Sequence, residues 1–341
     1  MEYCNYINDI LRPKKPKNLR ILDLFAGCGG LSLGFEASGF ETIGYEMDKS
    51  ACETYNKNLN GNCYEVKLEM GFEYPEADVV IGGPPCQPFS VWGYQKGVAD
   101  SRNGFPIFID AIEKLNPSIF LFENVRGLLY ANKGYFENVI DELRKLGYYI
   151  EYKLLNAVNY GVPQNRERLF VVGHKGKFCF PLHENKKISA KEAIGDLIYT
   201  TPPESKFLTP SMDAYVATYE KASCCVKPRD LNPDKPARTL TCRNLAGATS
   251  DMQRIRLKDG RRRRLLHREA ARLQSFPDWF DFCGNETKRF NQIGNAVPPL
   301  LAYKLALSVK AYIDNGVFYS TEKILENNYF PNMEECPLFQ S

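Results

Sequence analysis

At 341 residues, with 44% hydrophobic and 25% charged side chains and a net charge of +3, the chain has a globular composition and room for one large or two ordinary domains. No apolar run approaches the length of a membrane span, which excludes a helical membrane protein, and so small a charge does not by itself indicate a nucleic-acid partner. The eleven cysteines are odd in number and lack framework spacing, and Met1-Glu2-Tyr3-Cys4-Asn5-Tyr6 lacks the features of a secretory signal, so reduced thiols and a cytoplasmic location are expected.

Residues 1–18, with Pro13, Pro16 and Lys14-Lys15, read as a short arm before the fold. Residues 19–25 form an apolar run expected to be a buried strand, followed by the turn Ala26-Gly27-Cys28-Gly29-Gly30 and a helix over 31–38. A second strand, 41–46, ends in Glu46, and a helix is expected over 49–58. Strand, helix, strand at this spacing predicts parallel pairing through right-handed crossovers. Further strands are expected at 77–82 and 118–123 with a helix near 108–115 between them, then a helix over 136–146 and strands at 149–155 and 169–172. Four such units imply a doubly wound α/β domain that ends near residue 174. Prolines then punctuate the chain from Pro181 to Pro236 and periodicity is scarce, which predicts a smaller, loop-rich module. Helical periodicity returns at 267–275 and at 298–313, and the last helix is expected to pack back on the first domain.

In a doubly wound sheet functional groups gather at the carboxyl ends of the strands, so Gly27, Glu46, Cys86 and Glu123 are expected on one rim. The glycine turn lets the backbone approach a ligand at a helix N-terminus. It departs from the dinucleotide pattern, because Gly30 follows Gly29 directly and Ser32 stands at the third expected position. Nicotinamide, flavin and S-adenosylmethionine all remain open as the adenosine-bearing cofactor whose ribose Glu46 would bind. Gly82-Gly83-Pro84-Pro85-Cys86-Gln87-Pro88-Phe89-Ser90 stops a strand, and its prolines stiffen the backbone around Cys86 as a nucleophile requires. Alone, such a thiol is more often a small buried hydrophobe. Glu123 abuts Ile119-Phe120-Leu121-Phe122, so partial desolvation should raise its pKa toward proton donation. In Gln164-Asn165-Arg166-Glu167-Arg168 an extended backbone would put Gln164, Arg166 and Arg168 on one face, where the arginines could bind phosphate or stabilise a thiolate and an acceptor base. The plain alternative is a surface ladder. Between Arg254 and Arg272 nine basic residues stand against only Asp259 and Glu269. A polyanion would be attracted there, unless the run is a solvated face.

These blocks, in this order, resemble those of the cytosine-C5 DNA methyltransferases of prokaryotic restriction-modification systems. The resemblance runs over residues 20–304. It rests on Asp23-Leu24-Phe25-Ala26-Gly27-Cys28-Gly29-Gly30, Glu46, Pro85-Cys86-Gln87, Glu123-Asn124-Val125, Gln164 with Arg166 and Arg168, Arg268-Glu269-Ala270-Ala271-Arg272-Leu273-Gln274-Ser275-Phe276-Pro277, and Gln292-Ile293-Gly294-Asn295-Ala296-Val297-Pro298. It implies a Rossmann-like, S-adenosylmethionine-dependent catalytic domain over residues 1–174 and 288–341, with a loop-rich target-recognition domain over 175–287. It further implies Cys86 as nucleophile toward C6 of a cytosine flipped out of duplex DNA, with Glu123, Arg166 and Arg168 as catalytic partners and S-adenosylhomocysteine as product.

By the same resemblance Phe25, Gly27, Cys28, Gly30, Glu46, Met47, Pro85, Phe105, Asn295 and Ala296 would line the cofactor site. Glu65 would stand where the family has an adenine-contacting aspartate. The segment with Ser90, Trp92, Tyr94, Lys96 and Arg102 resembles the mobile catalytic loop that closes over DNA. Gln164, Thr239, Arg243 and Asn244 are further expected DNA contacts, and the arginine run would neutralise phosphates. The expected partners are double-stranded DNA and a separately acting restriction endonuclease, for a monomer with no membrane or metal requirement. Zinc deaminases also pair Pro-Cys with a glutamate, but position 89 is phenylalanine and His174, His183 and His267 lie far from Cys86. The tRNA-methylating branch carries a Cys-Phe-Thr element absent here, and a non-catalytic DNA-binding relative would be expected to lack Cys86, Glu123 or the cofactor glycines.

Overall fold

The computed structural model describes residues 2–16, 18–85, 103–222, 224, 230–246 and 251–316. The first half contains α1 (Glu2–Ile10), β1 (Arg20–Leu24), α2 (Gly30–Ala37), β2 (Glu41–Glu46), α3 (Lys49–Asn58), β3 (Asn62–Glu65), β4 (Val79–Gly82), α4 (Phe105–Leu115), β5 (Ile119–Val125), α5 (Lys133–Lys145), β6 (Tyr149–Asn156), β7 (Gln164–Asn165) and β8 (Glu167–His174). The second half contains α6 (Ala190–Ile194), α7 (Pro210–Ala222), β9 (Ala237–Arg238), α8 (Cys242–Ala246), β10 (Arg254–Arg256), β11 (Arg262–Arg264), α9 (His267–Leu273), α10 (Glu286–Asn295) and α11 (Pro299–Asn315).

Seven strands form one sheet in the order β3-β2-β1-β4-β5-β8-β6. The first five pair in parallel, as the alternation of strands and helices requires. β8 runs antiparallel to both of its neighbours. An alternating apolar pattern specifies a strand but not its direction, so this reversal is invisible in the sequence. Its consequence is local: the start of β8 lies at the carboxyl end of β5, with Arg168 opposite Val125.

Both faces of the sheet are buried. Leu22, Val80, Phe120, Phe122, Leu169 and Val171 face the side covered by α4 and α5, through Phe108, Ile112, Val139 and Ile140. Their neighbours Ile21, Val79, Ile81, Leu121, Phe170 and Val172 face the side covered by α2, α3 and α11. This period of two, apolar on both sides, is the signature of a doubly wound sheet. α11 returns to the first half as expected and lies close on α2. A Cβ at Gly34 would come within 2.3 Å of the Tyr303 backbone nitrogen, so only glycine permits that approach.

Three expectations need correction. Residues 2–10 are not a loose arm but α1, which buries Tyr3, Cys4 and Ile7. Asn8 accepts hydrogen bonds from the Asp278 N–H at 2.6 Å and the Trp279 indole at 3.0 Å, fastening this helix to the second half. Cys179 is disulfide-bonded, whereas Cys4, Cys28, Cys52, Cys63, Cys224, Cys242 and Cys283 are free thiols.

The third correction concerns the arginine run, much of which is internal. Arg254, 1% exposed, pairs with Glu220 at 3.0 Å and Asp230 at 2.9 Å. Arg262 pairs with Asp213 and Asp230, each at 3.0 Å. Arg263 and Glu269 are wholly buried at 2.7 Å, and Arg272 bridges Asp196 and Asp278, each at 2.7 Å. Buried charges need partners, and these partners lie up to 76 residues away in sequence, so the run reads as unbalanced until the fold is known. These four arginines are struts, and the phosphate-facing role expected of them does not fit their burial.

Candidate active site

The carboxyl ends of β1 to β5 form the rim. Beyond β1 the chain turns at Phe25, a non-glycine residue at φ 62°, and continues through Gly27 at φ 56° and Gly29 at φ 85°. Left-handed backbone at a bulky residue is strained and concentrates at functional sites. A Cβ at Gly27 would meet nothing within 4 Å, so the turn is open on that side. Glu46 holds the turn: its Oε2 accepts from the Gly27 N–H at 2.9 Å and its Oε1 from the Asp48 N–H at 2.7 Å. Met47 is 71% exposed beside it, and Glu65 ends β3 in register with Glu46. Cys28 is buried, which pushes its thiol up to about 12. On the far side a Cβ at Gly30 would lie 2.6 Å from the Val297 carbonyl oxygen and 3.1 Å from Ala296 Cβ. The fold thus packs the Asn295-Ala296-Val297 turn, 271 residues downstream by number at Val297 relative to Ala26, directly against the glycine turn.

A hydrogen-bonded chain runs beneath the turn. Ser32 Oγ lies 2.6 Å from Asp23 Oδ2 and 3.0 Å from the Tyr55 hydroxyl. Tyr55 in turn lies 2.6 Å from Thr42 Oγ1, itself 2.6 Å from Glu36 Oε1. Burial raises Asp23 to about 7 against the lowering hydrogen bond from Ser32, and burial likewise raises Glu36.

At the next strand ends, Gly82 stands in register with Leu24 and Phe122. Asn124 Nδ2 donates to the Pro84 carbonyl at 2.9 Å, fixing the backbone two residues before position 86. Glu123 is 13% exposed, and Arg168 Nε donates to its Oε1 at 2.9 Å. The reversed β8 makes this contact, since residues diagonal across an antiparallel pair share a face. Burial pushes Glu123 up, opposed by the charges of Arg168 and Arg166. Pro85 and Gly104 meet at this rim, where the Gly104 N–H donates to the Pro85 carbonyl at 2.9 Å. A Cβ at Gly104 would meet Pro85 Cδ at 2.4 Å and Phe25 Cζ at 3.0 Å.

Cys86, Ser90, Trp92, Tyr94, Lys96 and Arg102 lie outside the described residues. Of the remaining expected residues, Arg166, Gln164, Asn244 and Phe105 are buried. Arg166, 1% exposed, does not hydrogen-bond Glu123; its terminal nitrogens donate to the carbonyls of Leu240, Gly294 and Ala296. Gln164 is wholly buried and bonds Leu240 and Gln274. Asn244 is buried and caps Thr241 and Thr239 backbone groups. Phe105 is enclosed between Phe122 and Tyr135 in the core. Thr239 and Arg243 remain nearer the surface, with Thr239 Oγ1 donating to the Asn165 carbonyl at 2.6 Å through the parallel β7–β9 pair. Asn124, Gly104 and Asp23 were not singled out by role in the sequence. Their signal was present in Glu123-Asn124-Val125 and in the buried position of Asp23 within an apolar run. Among the described residues no group of three His, Cys, Asp or Glu side chains could hold a metal ion, and no helix is long and apolar enough to cross a membrane.

Residues 19–311 match the family model described as C-5 cytosine-specific DNA methylase. The chain is 57% identical over 320 residues to the Type II methyltransferase M.AplI of Arthrospira platensis, covering 92% of this chain and 93% of that one. It is 33% identical over 330 residues to the Type II methyltransferase M.FnuDI of Fusobacterium nucleatum, covering 86% and 94% respectively. The fold resembles that of a Spodoptera frugiperda DNMT2 at a TM-score of 0.66 and 18% identity, covering 86% of this chain and 100% of that one. It also resembles the Entamoeba histolytica methyltransferase EhMeth at a TM-score of 0.65 and 17% identity, covering 87% and 99%.

Proposed function

The chain belongs to the C-5 cytosine-specific DNA methylase family and is a DNA cytosine-5 methyltransferase, and on that premise we propose that it methylates one flipped cytosine in a fixed duplex sequence through a covalent Cys86 adduct. The observation that carries this reading is the Glu123–Arg168 pair beside the Gly83-Pro84 strand end, on the rim that also bears Gly27 and Glu46.

The rim fits S-adenosylmethionine. The open side of Gly27 admits a ligand close to the backbone, and each Glu46 oxygen that accepts a backbone N–H retains a second lone pair for a ribose hydroxyl. Phe25, Gly27, Cys28, Gly30, Glu46, Met47, Glu65, Pro85, Asn295 and Ala296 are proposed to hold it. When bound, it supplies a methyl carbon activated by a positively charged sulfur.

Cytosine C5 is a weak nucleophile and C6 is covered by stacking, so the base is extruded before reaction. The Cys86 thiolate forms a bond to C6, the C5=C6 π pair becomes a C4=C5 double bond, the C4=N3 π pair moves onto N3, and Glu123 delivers its proton there. A carboxyl raised by burial suits that donation, while Arg168 orients it. Once C5 carries the methyl group, loss of the C5 proton to a base and departure of the Cys86 thiolate restore the double bond, and N3 returns its proton to Glu123. Residues 175–287 are proposed as the target-recognition region, with Thr239 and Arg243 toward the duplex. In the cytoplasm the activity would protect host DNA from a separately acting restriction endonuclease.

The test is incubation of the purified protein with duplex DNA and methyl-labelled S-adenosylmethionine, followed by nucleoside analysis and bisulfite sequencing. Label confined to 5-methylcytosine at one recurring sequence supports the reading; label on adenine, on cytosine N4 or only on transfer RNA contradicts it.

A further inference from the structure

The peptide of Leu240, between Thr239 and Thr241, is held on both sides. Its N–H donates to Gln164 Oε1 at 2.8 Å, and its carbonyl accepts from Arg166 Nη1 at 2.7 Å. The same two side chains reach the end of α10. Arg166 Nη2 donates to the carbonyls of Gly294 at 2.9 Å and Ala296 at 3.0 Å. Gln164 Nε2 donates to Gln274 Oε1 at 2.5 Å, and Gln274 Nε2 donates to the carbonyls of Ile293 at 2.9 Å and Ala296 at 3.0 Å. All three side chains are buried.

The chemistry explains the choice of groups. The last carbonyls of a helix lack intrahelical partners and form the negative end of its dipole, so a guanidinium there meets both needs. Buried carbonyls stripped of donors are costly, which makes Leu240 and the 293–296 turn difficult to move apart. The turn continues into Ala296 and Val297, the wall packed against Gly30. A buried bridge therefore spans from the segment bearing Thr239 to the glycine turn.

We propose that Arg166 is a positioning residue which, with Gln164 and Gln274, couples the target segment around Leu240 to the cofactor wall at residues 294–297, so that duplex DNA and S-adenosylmethionine each tighten binding of the other. The inference rests on the reading of those two segments given above. A displacement of Leu240 on the duplex carries Ala296 and Val297 with it, and linkage makes the effect reciprocal.

The test measures affinity for S-adenosylhomocysteine alone and with saturating duplex bearing the sequence that the wild type methylates. The expected wild-type ratio is about 5- to 150-fold. Arg166→Lys keeps the charge but lacks the planar fork that spans carbonyls from two segments. Gln274→Met keeps the side chain's length and removes the donor to Ile293 and Ala296. In both the ratio falls toward one while each ligand still binds. A strut without a coupling role would lower thermal stability and leave the ratio unchanged, and that result overturns the inference. If Arg166→Lys does not fold, Gln274→Met decides alone. A wild type that methylates DNA but shows no mutual effect overturns the coupling and leaves the proposed function standing; one that binds neither ligand overturns both.

Discussion

The chain of groups under the glycine turn predicts an unusual pH dependence of stability. Asp23, Ser32, Tyr55, Thr42 and Glu36 make four oxygen-to-oxygen links in series, and the three hydroxyls bring only three hydrogens. With both carboxyls ionised, one link has no proton. A proton retained on the Asp23 carboxyl supplies the fourth hydrogen, while Glu36 also accepts from the Asn60 and Gly61 N–H groups at 2.8 Å each. No lysine or arginine among the described residues pairs with either carboxyl. Asp23 rises from 3.8 to about 7 chiefly through burial. The folded state therefore binds this proton more tightly than the unfolded chain, and stability falls as pH rises between the two values. At about 1.4 kcal/mol per unit, the total is on the order of 4 kcal/mol. The assay is urea unfolding of the wild type and Asp23→Asn from about pH 4.5 to about pH 8.5. The asparagine amide supplies the missing donor without titrating, so the wild type should lose stability relative to the variant as pH rises, levelling above about 7. A gap between the two proteins that stays constant across the range would refute the shared-proton account.

Further outcomes follow from the same geometry. Glu123→Gln keeps the size of the side chain and removes the transferable proton, so kcat should fall by about 10²- to 10⁴-fold in a methyl-transfer assay. Gly104→Ala forces a Cβ to within 2.4 Å of Pro85 Cδ. Shifting that backbone should lower kcat by about tenfold or more, since displacements near 1 Å at a reacting group cost about 10²-fold, and an unchanged rate would count against the pinned rim. Glu269→Ala strands the buried Arg263 charge and should cost about 3–5 kcal/mol by chemical denaturation, whereas a phosphate-binding Arg263 would show its effect in DNA affinity instead.

The sheet was legible because its residues alternate without interruption. Ile21, Leu22 and Leu24, then Val79, Val80 and Ile81, leave little freedom of assignment, and the glycines mark where each crossover begins. The site was legible to the extent that it is local. Glu46 and Gly27 are 19 residues apart in sequence and 2.9 Å apart across the turn, as the spacing of strand and turn predicts. Partners distant in sequence were not legible. Arg166 and Gln164 share one extended stretch with Arg168, yet their partners at Leu240, Gln274 and Gly294 could not be placed without the fold. The arginine run failed for the same reason, its acids at Asp213, Glu220 and Asp230 lying in another segment. Tyr3, Cys4 and Ile7 in α1, with Leu11 just after it, carry a readable helical stripe, which Pro13 and Pro16 cut short in the sequence pattern.

The most direct measurement uses duplex DNA in which the target cytosine is replaced by 5-fluorocytosine. Fluorine cannot leave C5 as a proton does, so an enzyme that has bonded to C6 and placed the methyl group stays attached. The protein should form a complex with this DNA that survives denaturing electrophoresis, dependent on S-adenosylmethionine, with the cross-linked peptide containing Cys86. Methylation of ordinary DNA without any such adduct, or an adduct mapped to a different cysteine, would contradict the covalent mechanism.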